Sequence, residues 1–265
     1  MAYLVICATA LVVAALTLFS GFGLGTLLMP AFALFFPVKV AIAATAVVHL
    51  ANSLFKVALI GKDADWGVVL RFGIPAALFA MLGAGLLGLL ADIPPLARYT
   101  LGEAVHTVTP VKLVVAALMI GFAALEVVPQ AGTLAFPPRY LPLGGALSGF
   151  FGGLSGHQGA LRAAFLVRAG LTKEAFVGTT AVAAVIVDVS RLLVYGVTFV
   201  TKDVTLLQDE ETMRLVAAGT LAAIVGSFLG VRLIKKVTMR TIQGLVAVML
   251  ALVGVALGAG LLPDR

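Results

Sequence analysis

Ser20-Gly21-Phe22-Gly23-Leu24-Gly25 cuts an apolar stretch in the first half of the chain, and Ser155-Gly156-His157-Gln158-Gly159-Ala160 cuts another in the second. Each break lies between two apolar runs that are short for a membrane span. Each is followed, about twenty residues on, by a long apolar helix with charge in its interior. Paired interrupted segments at corresponding places in two halves of a membrane protein are the sequence mark of a transporter's binding site.

The rest of the chain fits that frame. Hydrophobic residues make up 62%, charged residues only 11%, and mean hydropathy is +1.15. This excludes a soluble domain, which could not cover so much apolar surface with polar groups. Apolar runs follow one another almost end to end, enough for about eight spans at ~20 residues each. The expected fold is an all-α polytopic membrane protein. A net charge of +6 would suggest nucleic acid in a soluble protein. Here it is assigned to basic cytoplasmic loops and a few buried cations, with no nucleic-acid partner. Cys7, the single cysteine, allows no intramolecular disulfide and no thiolate metal site. No metal and no cofactor is expected. The opening Met1-Ala2-Tyr3 lacks the basic region of a signal peptide, so the first apolar segment is expected to be kept.

Two inverted repeats are expected, each a broken or re-entrant helical hairpin followed by about three transmembrane helices. The first, over 1–130, has its hairpin at 4–36 and spans at 40–60, 67–90 and 111–128. The second, over 138–265, has its hairpin at 140–170 and spans at 174–200, 213–234 and 241–262. Whether the hairpin arms turn back or cross the membrane thinly is open at this stage. One step of 135 residues carries Ser20 to Ser155, Thr45 to Thr180, Lys56 to Arg191 and Gly61 to Gly196. A step of 143 carries Arg71 to Arg214 and Gly83 to Gly226, with the extra residues in the polar loop 201–212. An odd number of crossings per half turns the second repeat upside down relative to the first. The side rich in Lys and Arg, with Arg139, Arg168, Lys173, Lys235 and Lys236, is expected to be cytoplasmic, leaving both termini outside.

Helix 40–60 places His49, Asn52, Ser53 and Lys56 on one face, and helix 174–200 does the same with Asp188, Arg191 and Tyr195. The two polar stripes can face each other. A charge at bilayer depth costs about 2.5–3.5 kcal/mol on insertion scales, so Lys56, Arg162, Arg191 and Asp188 call for a function or a partner. Asp188 can lock helices by pairing with Arg191 or Arg162, but one acid cannot balance three bases. An anionic ligand balances the remainder. His49 titrates near neutrality and is a candidate for proton coupling, as is Asp188; His49 serves equally as a neutral donor to the ligand.

The breaks add backbone chemistry. Glycine permits the sharp turn and the close approach, and half-helix N-termini bind anions. Ser20 and Ser155 stand where an N-cap hydroxyl belongs, with Gly21 and Gly156 beside them. His157, Gln158 and Arg162 have no counterpart in the first break, so the second hairpin is expected to contribute more. Trp66, Tyr3 and Tyr140 read as interface aromatics, and Arg71, Arg214 and Lys112 as snorkelling ends. His106 reads as part of a polar loop.

The stretches "SGFGLGTLLMPAFALFFP" and "GFFGGLSGHQGALRAAFL", each followed by a Thr-Ala helix ("AATAVVHLANSLFKV", "VGTTAVAAVIVDVSRLLVY"), resemble the sulfite exporter TauE/SafE family, also called the toluene sulfonate uptake permease family. The resemblance covers nearly the whole chain. It implies a non-enzymatic carrier of sulfite, sulfoacetate or similar sulfur anions in the bacterial inner membrane, and its name favours export. "GHQGA" departs from the family's usual glycine cluster and leaves the substrate open. A channel or uniporter for another anion is the nearest alternative. Gly153-Leu154-Ser155-Gly156 also matches the nucleophile pattern of an intramembrane serine protease, with His49 as the base. The recurrence of the Ser-Gly pair and the order of histidine and serine speak against that reading. The bilayer and a small anion are the expected partners; monomer and homodimer are both open.

Overall fold

The computed structural model describes residues 1–16, 23–127, 135–200, 210–233 and 239–263. Ten α-helices and one β-hairpin are found among them, besides two single-turn 3-10 helices (Gly61–Asp63 and Pro138–Tyr140): α1 (Ala2–Leu16), α2 (Leu24–Ala33), α3 (Val38–Ile60), α4 (Trp66–Ala91), β1 (Ala97–Leu101), β2 (Ala104–Val108), α5 (Pro110–Val127), α6 (Leu141–Ser155), α7 (Gly159–Leu166), α8 (Lys173–Val200), α9 (Glu210–Leu233) and α10 (Met239–Gly258). Among the described residues the protein is all-α apart from that hairpin. Among the described residues, α3, α4, α5, α8 and α9 are long and apolar enough to cross a membrane. Ser20 and Gly21 lie outside the described residues, so the first break is seen only from Gly23 onward.

The second hairpin turns back. α7 has eight residues, about 12 Å at 1.5 Å per residue, against a hydrocarbon core of about 30 Å. The chain ahead of α6 meets the last turn of α7, with the Phe136 N–H donating to the Ala164 carbonyl at 3.1 Å. The Phe136 and Phe165 rings stack with centroids 4.3 Å apart. The chain therefore enters and leaves this hairpin on one side. α2, with ten residues, is equally short, and every one of them is buried. A helix apolar all round has no solvent face to offer, and α2 lies inside the bundle.

Small residues decide which helices touch, as they do where lipid removes the ordinary hydrophobic drive. α6 lies on α4 so closely that a Cβ on Gly145, Gly149 or Gly153 would overlap the carbonyls of Phe72, Ala76 and Ala80. α9 lies on α1 in the same way, with Gly226 and Gly230 against the carbonyls of Leu11 and Ala15. α6 thus packs on a span from the first half of the chain, and α1 on one from the second half. α3 and α8 run antiparallel side by side. Gly178, near the start of α8, packs on the Ile60 carbonyl at the end of α3. The N–H of Asp65, just beyond α3, donates to Thr179 Oγ1 at 2.9 Å.

Two local expectations differ from the structure. His106 belongs to β2 and tilts against Tyr99 of β1, at 5.4 Å between centroids. Lys112 does not snorkel: it is buried, and its Nζ donates to the Thr107 carbonyl at 3.0 Å and the Leu262 carbonyl at 2.9 Å. The β-hairpin and the chain after α10 roof over the start of α5, so the ammonium finds two carbonyls there instead of water. Trp66 and Tyr140 are exposed, Arg71 is exposed, and Arg214 pairs with Glu210 at the surface.

Candidate functional site

The polar stripes of α3 and α8 meet at mid-helix. His49 Nδ1 lies 2.6 Å from Asp188 Oδ2. The other carboxylate oxygen, Oδ1, accepts from Arg191 Nε at 3.1 Å, from Arg191 Nη2 at 2.7 Å and from Gln158 Nε2 at 3.1 Å. Asp188 and Arg191 are both 0% exposed. An ion pair so far from water is tolerated only when its remaining donors and acceptors are met, and here they are. Asp188 is the one buried carboxylate among the described residues.

The second break supplies the other wall. Gly156 closes α6 in the left-handed region at φ 82°, a conformation that glycine adopts without strain. α6 thus stops short of α8 and leaves its last carbonyls to side chains. Arg191 Nη1 donates to the Gly152 carbonyl at 3.1 Å, and the Tyr195 hydroxyl donates to the Gly153 carbonyl. α8 therefore caps α6 from the side.

Ser155 does not cap α7. It is the last residue of α6, and its hydroxyl donates back to the Phe151 carbonyl at 3.1 Å. The helix continues through Ser155 because the glycine that ends it comes one residue later. Gln158 stands at the N-cap of α7, yet its side chain does not cap either. Its Oε1 accepts from Arg162 Nη1 at 3.2 Å and its carbonyl accepts from Ser148 Oγ at 3.0 Å. One chain of hydrogen bonds thus runs from Arg162 through Gln158 and Asp188 to Arg191 and His49.

The first break reaches the same place. Gly23, with φ 118°, opens α2. A Cβ on Gly25 would stand 3.3 Å from the Gly156 carbonyl and 3.4 Å from His49 Cδ2. The start of α2 therefore abuts the second break closely, and even a Cβ at Gly25 would press on its neighbours.

Of the residues expected at the site, His49, Gln158, Arg162, Asp188, Arg191, Tyr195, Ser155 and Gly156 are joined by these contacts. His157 is buried beside them, and its Nδ1 lies 3.1 Å from Ser155 Oγ. Lys56 is half-buried, and the charge of Arg162 reaches it. Asn52 turns elsewhere: its Oδ1 accepts from Ser227 Oγ of α9 at 2.7 Å. Ser53 is buried on the same helix. The buried hydroxyls of Thr45 and Thr180, related by the step of 135, have no hydrogen-bond partner.

Three contributors were not singled out from the sequence. Ser148 lies two turns before Ser155 on α6, and that spacing was available as a signal. Phe122 of α5 stacks on the His157 ring at 5.6 Å and 11°. Nothing distinguishes it from the other apolar residues of α5. Ser227 follows Gly226 in a small-residue stretch that reads as packing.

Chemically, the site is a basic cluster. Arg162 and Arg191 are both buried with Lys56 close by, and Asp188 is the one buried carboxylate among the described residues that opposes them. Among the described residues no group of His, Cys, Asp and Glu could hold a metal ion. His49 is bonded to Asp188 and not to Ser155, whose proton goes to a carbonyl, so no serine–histidine dyad forms between those two. A model of the family described as sulfite exporter TauE/SafE matches residues 6–257. The chain belongs to that family. No curated protein matches it. The TauE/SafE match takes in both hairpins and all five long apolar helices, so the protein is a membrane-spanning member of a transporter family.

Proposed function

We propose that the protein carries a small sulfur oxyanion, sulfite or a short organosulfonate such as sulfoacetate, outward across the bacterial inner membrane. Both termini lie on the periplasmic side. The anion binds near the bilayer midplane beside Arg162, Lys56, His157 and the first turn of α7. The Asp188–Arg191–His49 cluster fixes the position of that turn through Gln158.

The observation that carries this reading is the charge balance of the interior. Asp188 spends both oxygens on Arg191, His49 and Gln158, while Arg162, 2% exposed, donates to Gln158 Oε1 at 3.2 Å, so that two buried arginines with Lys56 nearby surround the one buried carboxylate among the described residues. A buried excess of cations is costly, and a transient anion offsets it. The N-terminus of α7 adds backbone donors and a favourable dipole at the same spot. The family name supplies the substrate class, and the excess of Lys and Arg on one side supports the orientation.

The two halves act as inverted repeats about this site. The reciprocal packing of α6 on α4 and α1 on α9, and the antiparallel α3–α8 pair at the centre, support that symmetry. Transport then follows from one half rocking against the other around a fixed anion. Purified protein in liposomes tests the function. Sulfite or sulfoacetate loaded inside should leave faster than from protein-free liposomes, and equal rates for every sulfur oxyanion tried would refute it.

A further inference from the structure

His157 carries a chemical instruction that charge alone does not. Its ring is 2% exposed, held flat against Phe122 on one face, and Phe122 in turn meets Phe151 edge-on at 5.7 Å. One nitrogen, Nδ1, lies 3.1 Å from Ser155 Oγ, and the other, Nε2, is buried with no hydrogen-bond partner.

The partners of Nδ1 decide where its proton sits. Ser155 has a single hydroxyl proton, and the Phe151 carbonyl, 3.1 Å away and able only to accept, takes it. The Ser155 oxygen is then free only to accept. With the hydroxyl proton placed there, Ser155 Oγ accepts and Nδ1 is the N–H. In a neutral imidazole the other nitrogen is then a bare lone pair. Nε2 can therefore meet a ligand only as an acceptor, although an anion needs donors.

Neighbouring groups keep that conflict in place. α6 brings Ser155, and α7 brings Gln158 and Arg162. α8 brings Arg191, whose charge reaches the ring, and Asp188, whose oxygens are already taken. α3 brings His49 and Lys56, and α2 brings no titratable group. α5 brings Glu126 one turn beyond Phe122, with Gln243 of α10 as its hydrogen-bond partner. No carboxylate among the described residues bonds to His157.

Resting on the anion site just described, we propose that each anion is bound together with one proton, shared between a ligand oxygen and His157 Nε2. An oxyanion that carries its own proton, such as hydrogensulfite, donates it to the lone pair and binds as it is. A fixed sulfonate, which has none, takes one from water and leaves Nε2 as an N–H donor. The bound complex has the same composition either way: anion, proton and imidazole. The site thus selects the hydrogen form of a titrating oxyanion over its dianion.

Titration calorimetry of the purified full chain in two buffers of different ionisation enthalpy counts the protons. Methanesulfonate should bind with uptake of about one proton, and its association constant should fall about tenfold per pH unit on the alkaline side, because the bound state holds the extra proton. Hydrogensulfite should bind with none. His157→Gln, which offers a fixed amide donor, should bind methanesulfonate more weakly and without proton uptake. Should that variant not be recovered folded, the contrast between the two anions on the wild-type protein decides alone. Equal proton uptake for both anions, uptake kept by His157→Gln, or binding of methanesulfonate without uptake would each overturn the proposal while leaving the anion site standing. No binding of either anion would remove the site and the proposal with it.

Discussion

Arg191 grips Asp188 one turn away on α8, through Nε at 3.1 Å and Nη2 at 2.7 Å on a single carboxylate oxygen. The pair is wholly buried, and its outer contacts reach three other elements: His49 on α3, Gln158 at the break and the Gly152 carbonyl on α6. Arg191 is thereby a structural cation.

This arrangement sets the fate of variants at either partner. Removing one partner of a buried ion pair strands the other and costs about 3–5 kcal/mol. Arg191→Leu and Asp188→Asn should therefore lower the thermal midpoint of the purified protein strongly, or prevent its recovery from the membrane. A thermal melt in detergent checks this, and a midpoint unchanged in both variants would contradict the structural role.

Glycine packing between α4 and α6 makes a second prediction. Gly149 and Gly153 leave no space for a Cβ against the Ala76 and Ala80 carbonyls. Overpacking of this kind costs about 1–3 kcal/mol, and more where backbone must move. Gly153→Val should lower the yield of folded protein well below that of Gly121→Val, since a Cβ on Gly121 meets nothing within 4 Å. Fluorescence-detected size exclusion of the two variants compares them directly.

Asn52 and Ser227 join α3 to α9 through one hydrogen bond of 2.7 Å. Such bonds inside membranes average about 0.6 kcal/mol in double-mutant cycles. Asn52→Ala, Ser227→Ala and the double variant should each lose a similar small amount of stability, with anion affinity within about threefold of wild type. A loss of affinity above tenfold in Asn52→Ala alone would return that residue to the site.

The sequence made the helical class and the family legible because both rest on long-range features, namely runs of apolar residues and two punctuated breaks. The apolar runs read at 40–60, 67–90 and 174–200 lie close to α3, α4 and α8. Finer assignments depended on which neighbour a residue meets. Periodicity put Asn52 and His49 on one face, but that face is wide enough to touch both α8 and α9, and spacing does not say which edge meets which. Ser155 read as a cap because it precedes a glycine. The turn comes at Gly156, however, so the serine stays in the helix behind it. The β-hairpin went unread because Tyr99, Thr100, Val105 and Thr107 form strands of only five residues around Gly102-Glu103, a faint signal beside the apolar helices on either side. The conflict at His157 depends on the proton of Ser155 and the ring of Phe122, neither of which spacing reveals.

The central claim is that Arg162 binds the anion while the Asp188–Arg191 pair holds the scaffold. The most direct measurement is a thermal-shift titration of sulfite and short organosulfonates against wild type and Arg162→Gln. Losing a charge-assisted contact of about 1.5–3 kcal/mol weakens binding roughly 10- to 150-fold. Wild type should gain stability with anion concentration, as ligand binding to the native state requires. Arg162→Gln should melt within a few degrees of wild type without ligand, yet show no anion-dependent gain over the same range. An equal gain in both proteins would contradict the account.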